Sequence, residues 1–181
     1  MKKLIKVLRN KLVLLFRGRQ GLAKFMGVTI GNDCRIFTTN FGSEPFLITI
    51  GNKVTVTKGV RFVTHNGSTW LIEDEAGRRY EYRRIEVGNN VFIGTDALIL
   101  PGVKIEDNCI VAAGAIVTKS IPAGSIVGGN PAKIIGSFDL YKEKALENFP
   151  SAQQMDKTKA YKERILPLVD NTFKVYLQTK S

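Results

Sequence analysis

One histidine occurs in the chain, His65, in the run Val63-Thr64-His65-Asn66-Gly67-Ser68. Imidazole titrates near neutrality, so one well-held ring can take a proton from a hydroxyl at physiological pH. A lone histidine is more often a structural or solvated side chain, and only its setting separates the roles. One histidine cannot build a three-imidazole zinc site, so carbonic-anhydrase-type chemistry is disfavoured and no metal is expected. Cys34 and Cys109 are far apart and form no disulfide framework, which points to a reduced, cytoplasmic setting. A second stretch stands out downstream. Ala112-Ala113-Gly114-Ala115-Ile116-Val117-Thr118-Lys119 is followed by Ile121-Pro122-Ala123-Gly124 and by Val127-Gly128-Gly129-Asn130-Pro131-Ala132-Lys133. It is rich in small residues and carries Lys119 and Lys133.

The elements that must hold these residues announce themselves by a period. Val87, Ile93, Ile99, Ile105, Val111 and Val117 recur every six residues, and Ala123 continues the series. Four places after each come Val91, Ala97, Val103, Cys109, Ala115 and Ile121. The beat also appears as Ile50, Val56 and Phe62, and as Ile30 and Ile36, with two extra residues near Glu44–Ile48 shifting its phase. Six is neither a helical period nor that of an ordinary amphipathic strand. Repeats this short mean a solenoid of β-strands, in which each hexapeptide supplies a strand and a bend and three close a triangular coil. The aliphatic residue points into the prism and the small one sits near a corner. Cys34 and Cys109 hold that small position, which core filling explains better than catalysis. Gly31, Gly51, Gly88, Gly94, Gly102 and Gly114 fall where the backbone bends.

This pattern resembles the hexapeptide-repeat acyltransferases over residues 28–135. The stretch from Ala112 to Lys133 is similar to the coenzyme-A end of maltose, galactoside and related sugar O-acetyltransferases. The resemblance implies a mainly β fold, a single-stranded left-handed parallel β-helix with an N-terminal helix and C-terminal helices. It implies acetyl-CoA as co-substrate. A pantetheine arm is narrow and carries amides, so it needs a smooth groove of small residues. Thr95, Ala113, Gly114 and Thr118 are the expected floor, with Lys119 and Lys133 as cations for the phosphates. The alternative is that the small residues only fit tight corners and the lysines are solvated.

His65 stands where the beat stops, and the beat resumes at Val87 after an insertion over residues 68–84. In the resembled family a histidine at this place is the general base. It activates a sugar hydroxyl that attacks the acetyl carbonyl with no acyl-enzyme. Asn40 resembles an acceptor-site asparagine of the family, though an asparagine in a tight turn explains it as well. Asn66 and Trp70 are further acceptor candidates, Trp70 as a platform for a sugar ring. The insertion reads as a hairpin, with Asp74-Glu75-Ala76-Gly77 as its turn. Arg78, Arg79, Arg83 and Arg84 could meet an acidic sugar or a phosphate; equally, the aromatics could pack on a neighbouring subunit. For the carboxylate that orients the imidazole, Glu73, Asp74, Glu75 and Asp96 are the candidates, none with a strong claim. An oxyanion donor is expected among backbone N–H groups.

The chain has 181 residues, 44% hydrophobic and 24% charged, which suits one globular domain. Its net charge of +11 is uneven. Eight basic residues and no acidic one precede Asp33, leaving 19 basic against 16 acidic residues in the remainder. Residues 1–27 therefore read as a basic amphipathic helix with Leu4, Leu8, Leu12 and Leu15 on one face. It could lie on an anionic membrane surface, or pack its leucines on the body and turn its lysines to water. No nucleic-acid motif accompanies the charge. Residues 136–181 read as helical, with a pattern from Asp156 to Tyr176 that Pro167 kinks or restarts.

These readings converge on an acetyl-CoA-dependent O-acetyltransferase acting on a sugar of a surface polysaccharide, a lipid-linked precursor or a small saccharide. The resemblance implies a homotrimer with sites between adjacent prisms. The localisation expected is cytoplasmic, at the inner face of the membrane if the N-terminal helix makes peripheral contact. Two rivals remain open here: a sugar-nucleotide N-acetyltransferase, and a non-enzymatic membrane-associated scaffold.

Overall fold

The computed structural model describes residues 2–176. The six-residue beat becomes strands of two or three residues separated by bends, as β-branched residues at this spacing favour. The strands stack into three parallel sheets, one per face of a coil. The first face joins Thr29–Ile30, Ile48–Ile50, Ile85–Val87 and Lys104–Ile105. The second joins Arg35–Ile36, Thr55–Val56, Phe92–Ile93, Ile110–Val111 and Ser125–Gly128. The third joins Arg61–Phe62, Leu98–Ile99 and Ile116–Val117.

Strand partners lie 18 residues apart in the regular part, as in Leu98 with Ile116, Glu86 with Lys104 and Phe92 with Ile110. The spacing is 20 residues between Thr29 and Thr49, where the two extra residues shift the phase. It falls to 16 at the far end, where Ile105 bridges Ile121 and Ile110 pairs with Ile126. The expected continuation through Ala123 is therefore corrected. Ile121 takes the inward slot at 3% exposure and Ala123 is exposed, because the last coil is two residues shorter.

The core runs up the axis. Ile36, Ile50, Val56, Phe62, Ile93, Ile99, Ile105 and Val111 are buried, and so is the second series of Val91, Ala97, Val103, Cys109 and Ala115. Each buried Val or Ile side chain stabilises the coil by roughly 1.5–3 kcal/mol. The coils approach so closely that a Cβ on Gly51 would lie 2.6 Å from the Gly88 carbonyl oxygen. Glycine is needed there for contact, whereas Gly114 sits at a corner with φ +70 and open space above it. Along one edge Asn52, Asn89 and Asp107 form a ladder of hydrogen bonds that satisfies the bends.

Helix α1 (Lys2–Met26) precedes the coil and is kinked at Gly18, whose φ is 63 and ψ −173. Beyond the kink Leu22 and Ala23 are buried, and the Val28 N–H donates to the Ala23 carbonyl, which ties the helix to the first coil. Before it, Leu4, Leu8, Leu12, Leu15 and Phe16 are exposed. The alternative in which the leucine face packs on the body is corrected: that face is turned outward. No helix among the described residues is long and apolar enough to cross a membrane.

Lys133–Ser137 pairs antiparallel with Ser125–Gly128 and closes the last edge of the second face. Contacts divide the chain into units Met1–Leu140 and Tyr141–Ser181. Helix α2 (Phe138–Asn148) leads into the second, in which α3 (Tyr161–Ile165) is followed by a 3-10 turn, Leu166–Leu168. The helical pattern expected through Tyr176 stops there: Pro167 lacks a backbone donor, and Phe173 and Tyr176 are exposed.

Candidate active site

The insertion begins and returns at one place. His65 bridges Tyr82 in antiparallel sense, Asn66 N–H donates to the Glu81 carbonyl, and Arg83 N–H donates to the Thr64 carbonyl. His65 is thus held by backbone on both sides at the end of the third face, beside a buried Thr64. Its ring lies 6.0 Å from that of Tyr82 and keeps 39% of its surface open to solvent.

The side chain that faces it comes from the phase-shifting segment. Thr38 Oγ1 donates to the Val60 carbonyl at 2.7 Å, and Phe41, fully buried, stacks on Phe62 at 5.6 Å between centroids. These contacts pin residues 38–41 and carry Glu44 over the end of the third face. There Glu44 Oε2 accepts from Thr64 Oγ1 at 2.6 Å and lies 2.9 Å from His65 Nδ1. Burial pushes the Glu44 carboxyl upward, but the bonds from Thr64 and His65 and the imidazole's charge outweigh it. The net result lies below the ordinary value of 4.5. An ionised Glu44 accepts a hydrogen bond from Nδ1–H, which holds the ring in the tautomer whose Nε2 lone pair is free to accept a proton. A buried donor, a carboxylate and a half-open imidazole in series can do general-base chemistry.

None of Glu73, Asp74, Glu75 or Asp96 holds the ring. Asp74 pairs with Arg79 on the hairpin, and Asp96 stands at another corner, above Gly59. Glu44 escaped the sequence reading because it lies 21 residues from His65 outside the repeat. The phase shift was the available signal.

Of the acceptor candidates, Asn66 uses its amide to cap the turn, accepting from the Ser68 N–H at 3.1 Å and donating to Glu81 at 3.0 Å. Trp70 is exposed on the following 3-10 turn, Gly67–Leu71, and the Arg78 guanidinium sits 4.9 Å from its ring and 4.6 Å from Tyr80. The expected hairpin is present only as Glu73–Asp74 against Gly77–Arg78. Asn40 lies elsewhere, in a depression of about 540 Å³ that it lines with Phe37, Lys58, Thr95 and Asp96.

Thr95 and Ala113 occupy equivalent corner positions on successive coils, and Gly114 N–H donates to the Thr95 carbonyl at 2.8 Å. Ala113, Gly114, Thr118, Lys119 and Lys133 are exposed, and neither lysine has an ion pair among the described residues. By strand register His65 matches Gly102, on a different corner of the coil from Thr95. One chain therefore does not bring the imidazole to Thr95, Ala113 and Gly114, whereas Thr118 and Lys119 stand at the imidazole's own corner on a later coil. Burial pushes the Cys109 thiol up, which suits core filling and not a nucleophile.

The family description "Bacterial transferase hexapeptide (six repeats)" matches residues 84–119. Protein CapG of Staphylococcus aureus is 43% identical over 152 residues, covering 82% of this chain and 86% of that protein. The galactoside O-acetyltransferase of Escherichia coli strain K12 is 31% identical over 137 residues, covering 65% and 67%. The chain belongs to the hexapeptide-repeat acyltransferases. A solved galactoside acetyltransferase in complex with coenzyme A shares the fold of this acyltransferase, with a TM-score of 0.54 and 22% identity over 80% of this chain and 85% of that one.

Proposed function

We propose that this acyltransferase moves an acetyl group from acetyl-coenzyme A to a sugar hydroxyl, with His65 as general base and Glu44 as its positioning residue. The observation that carries the reading is the 2.9 Å contact between a solvent-open imidazole and a buried-side carboxylate at the mouth of the insertion. The relative named as a galactoside O-acetyltransferase supports the hydroxyl acceptor, and the galactoside acetyltransferase complex supports the coenzyme.

The residues present fit the co-substrate. Thr95, Ala113 and Gly114 make an open ledge of small residues at one corner, the Cβ position of Gly114 has no heavy atom within 4 Å, and Thr118 continues the exposed surface beyond the third face. Lys133, paired with Gly128, stands beside it and Lys119 stands at the next corner, two exposed cations for phosphate. Trp70 offers a face to the sugar, Asn66 fixes the turn that presents it, and Asn40 serves the acceptor from the depression it shares with Thr95.

His65 Nε2 takes the acceptor's hydroxyl proton as that oxygen forms a bond to the acetyl carbonyl carbon. Glu44 stabilises the imidazolium that results. As the tetrahedral adduct collapses, the carbon–sulfur bond breaks and His65 returns the proton to the leaving sulfur. Because His65 and the ledge lie on different corners, the complete site takes the ledge from a neighbouring subunit. A homotrimer of left-handed prisms with three such sites meets that need. The test is free-thiol release from acetyl-coenzyme A over a panel of saccharides with hydroxyl or amine acceptors. Release with hydroxyl acceptors supports the reading. Release with amines alone makes it an N-acetyltransferase, and no release with any acceptor refutes it.

A further inference from the structure

Helix α1 is built inside out for a helix that only covers the coil. At about 100° per residue, Leu4, Ile5, Val7, Leu8, Leu12, Leu15 and Phe16 share one half of its circumference before Gly18. All seven are exposed, Leu15 and Phe16 at 75% and 80%. The half-buried positions are Asn10, Val13 and Leu14, on the other side. Arg9 and Arg17 also lie off the apolar arc, while Lys11 falls within it on a stem long enough to reach past it. Sixteen residues of helix before the kink span about 24 Å, and Leu22 and Ala23 anchor the end beyond it.

We propose that this face docks on an anionic phospholipid surface, lying in the interface plane while the coil stays in water. Charge selects the occupant. Eight basic residues and no acidic one precede Asp33, so the arm matches a negative surface. A second copy offers little opposing charge, since the rest of the chain carries 19 basic and 16 acidic residues. The helix is amphipathic and too charged to cross the bilayer, which is the signature of a helix that lies on it. This inference stands apart from the proposed reaction, and its test reads binding alone.

The full chain is sedimented with vesicles of phosphatidylcholine, alone or mixed with phosphatidylglycerol, at low and high salt, beside the double variant Leu8→Glu/Phe16→Glu. Both side chains are exposed, so the variant keeps the fold, checked by its melting temperature. The wild type should partition onto the mixed vesicles about tenfold or more better than onto neutral ones and lose binding with salt. The variant should bind about tenfold or more weakly. Equal partition of the two chains, or none of the wild type on either vesicle, overturns the proposal. So does a fall in the variant's oligomeric state by light scattering, which would make the face an interface between copies.

Discussion

Replacing Glu44 by glutamine removes a charge from the contact with His65 while leaving an oxygen in place. The perturbed distance is 2.9 Å from Nδ1 to Oε2. A hydrogen bond to a charged group contributes about 1.5–3 kcal/mol. His65 is 39% exposed and Glu44 18%, so water screens part of this. The lower end, about 1.5 kcal/mol, is the appropriate figure, and it corresponds to roughly a tenfold fall in kcat. The carboxylate acts on the imidazolium of the transition state and touches neither substrate, so KM for coenzyme and acceptor should hold. Glu44→Ala, which also loses the acceptor, should fall further, and Thr64→Val, which removes only the 2.6 Å anchor on Oε2, less. Steady-state kinetics of thiol release separate these outcomes. Unchanged kcat in Glu44→Gln, or a loss that appears only in KM, would refute the reasoning.

Three further outcomes follow from the same geometry. Lys133→Ala should raise the apparent coenzyme constant more than it lowers turnover, read by varying acetyl-coenzyme A; an unchanged constant removes Lys133 from the ledge. Gly51→Ala puts a Cβ 2.6 Å from the Gly88 carbonyl and should destabilise the chain by about 1–3 kcal/mol in denaturant unfolding; wild-type stability would mean the coils separate easily. Because the native Glu44 pKa lies below 4.5, its bonds stabilise the fold above that pH and are lost as pH falls through the native value. The stability gap between wild type and Glu44→Gln should accordingly shrink in acid, and a gap constant from pH 7 to pH 3 would contradict the linkage.

The regular part of the coil was legible because a single physical constraint, one inward aliphatic side chain per face, repeats without interruption from Val87 to Val117. It failed at Ala123, where a coil shortened by two residues hands the inward slot to Ile121. Periodicity carries no information about such an end. His65 was legible as the residue at which the beat breaks. Glu44 was not, because its approach to His65 depends on Phe41 stacking under Phe62 and on Thr38 bonding across to Val60, contacts that no local pattern encodes. The spacing of Leu4, Leu8, Leu12 and Leu15 puts them on one side of α1, yet the direction of that side depends on the kink at Gly18 and the burial of Leu22 and Ala23 beyond it. A helical wheel says which residues share a side and not which side meets the protein.

The central claim is that one imidazole removes the acceptor's proton, and His65→Ala tests it most directly. Turnover of acetyl-coenzyme A with a saccharide acceptor should fall by about a hundredfold or more, while the coenzyme's dissociation constant, measured by calorimetry, stays at the wild-type value. Full turnover in that variant would contradict the account.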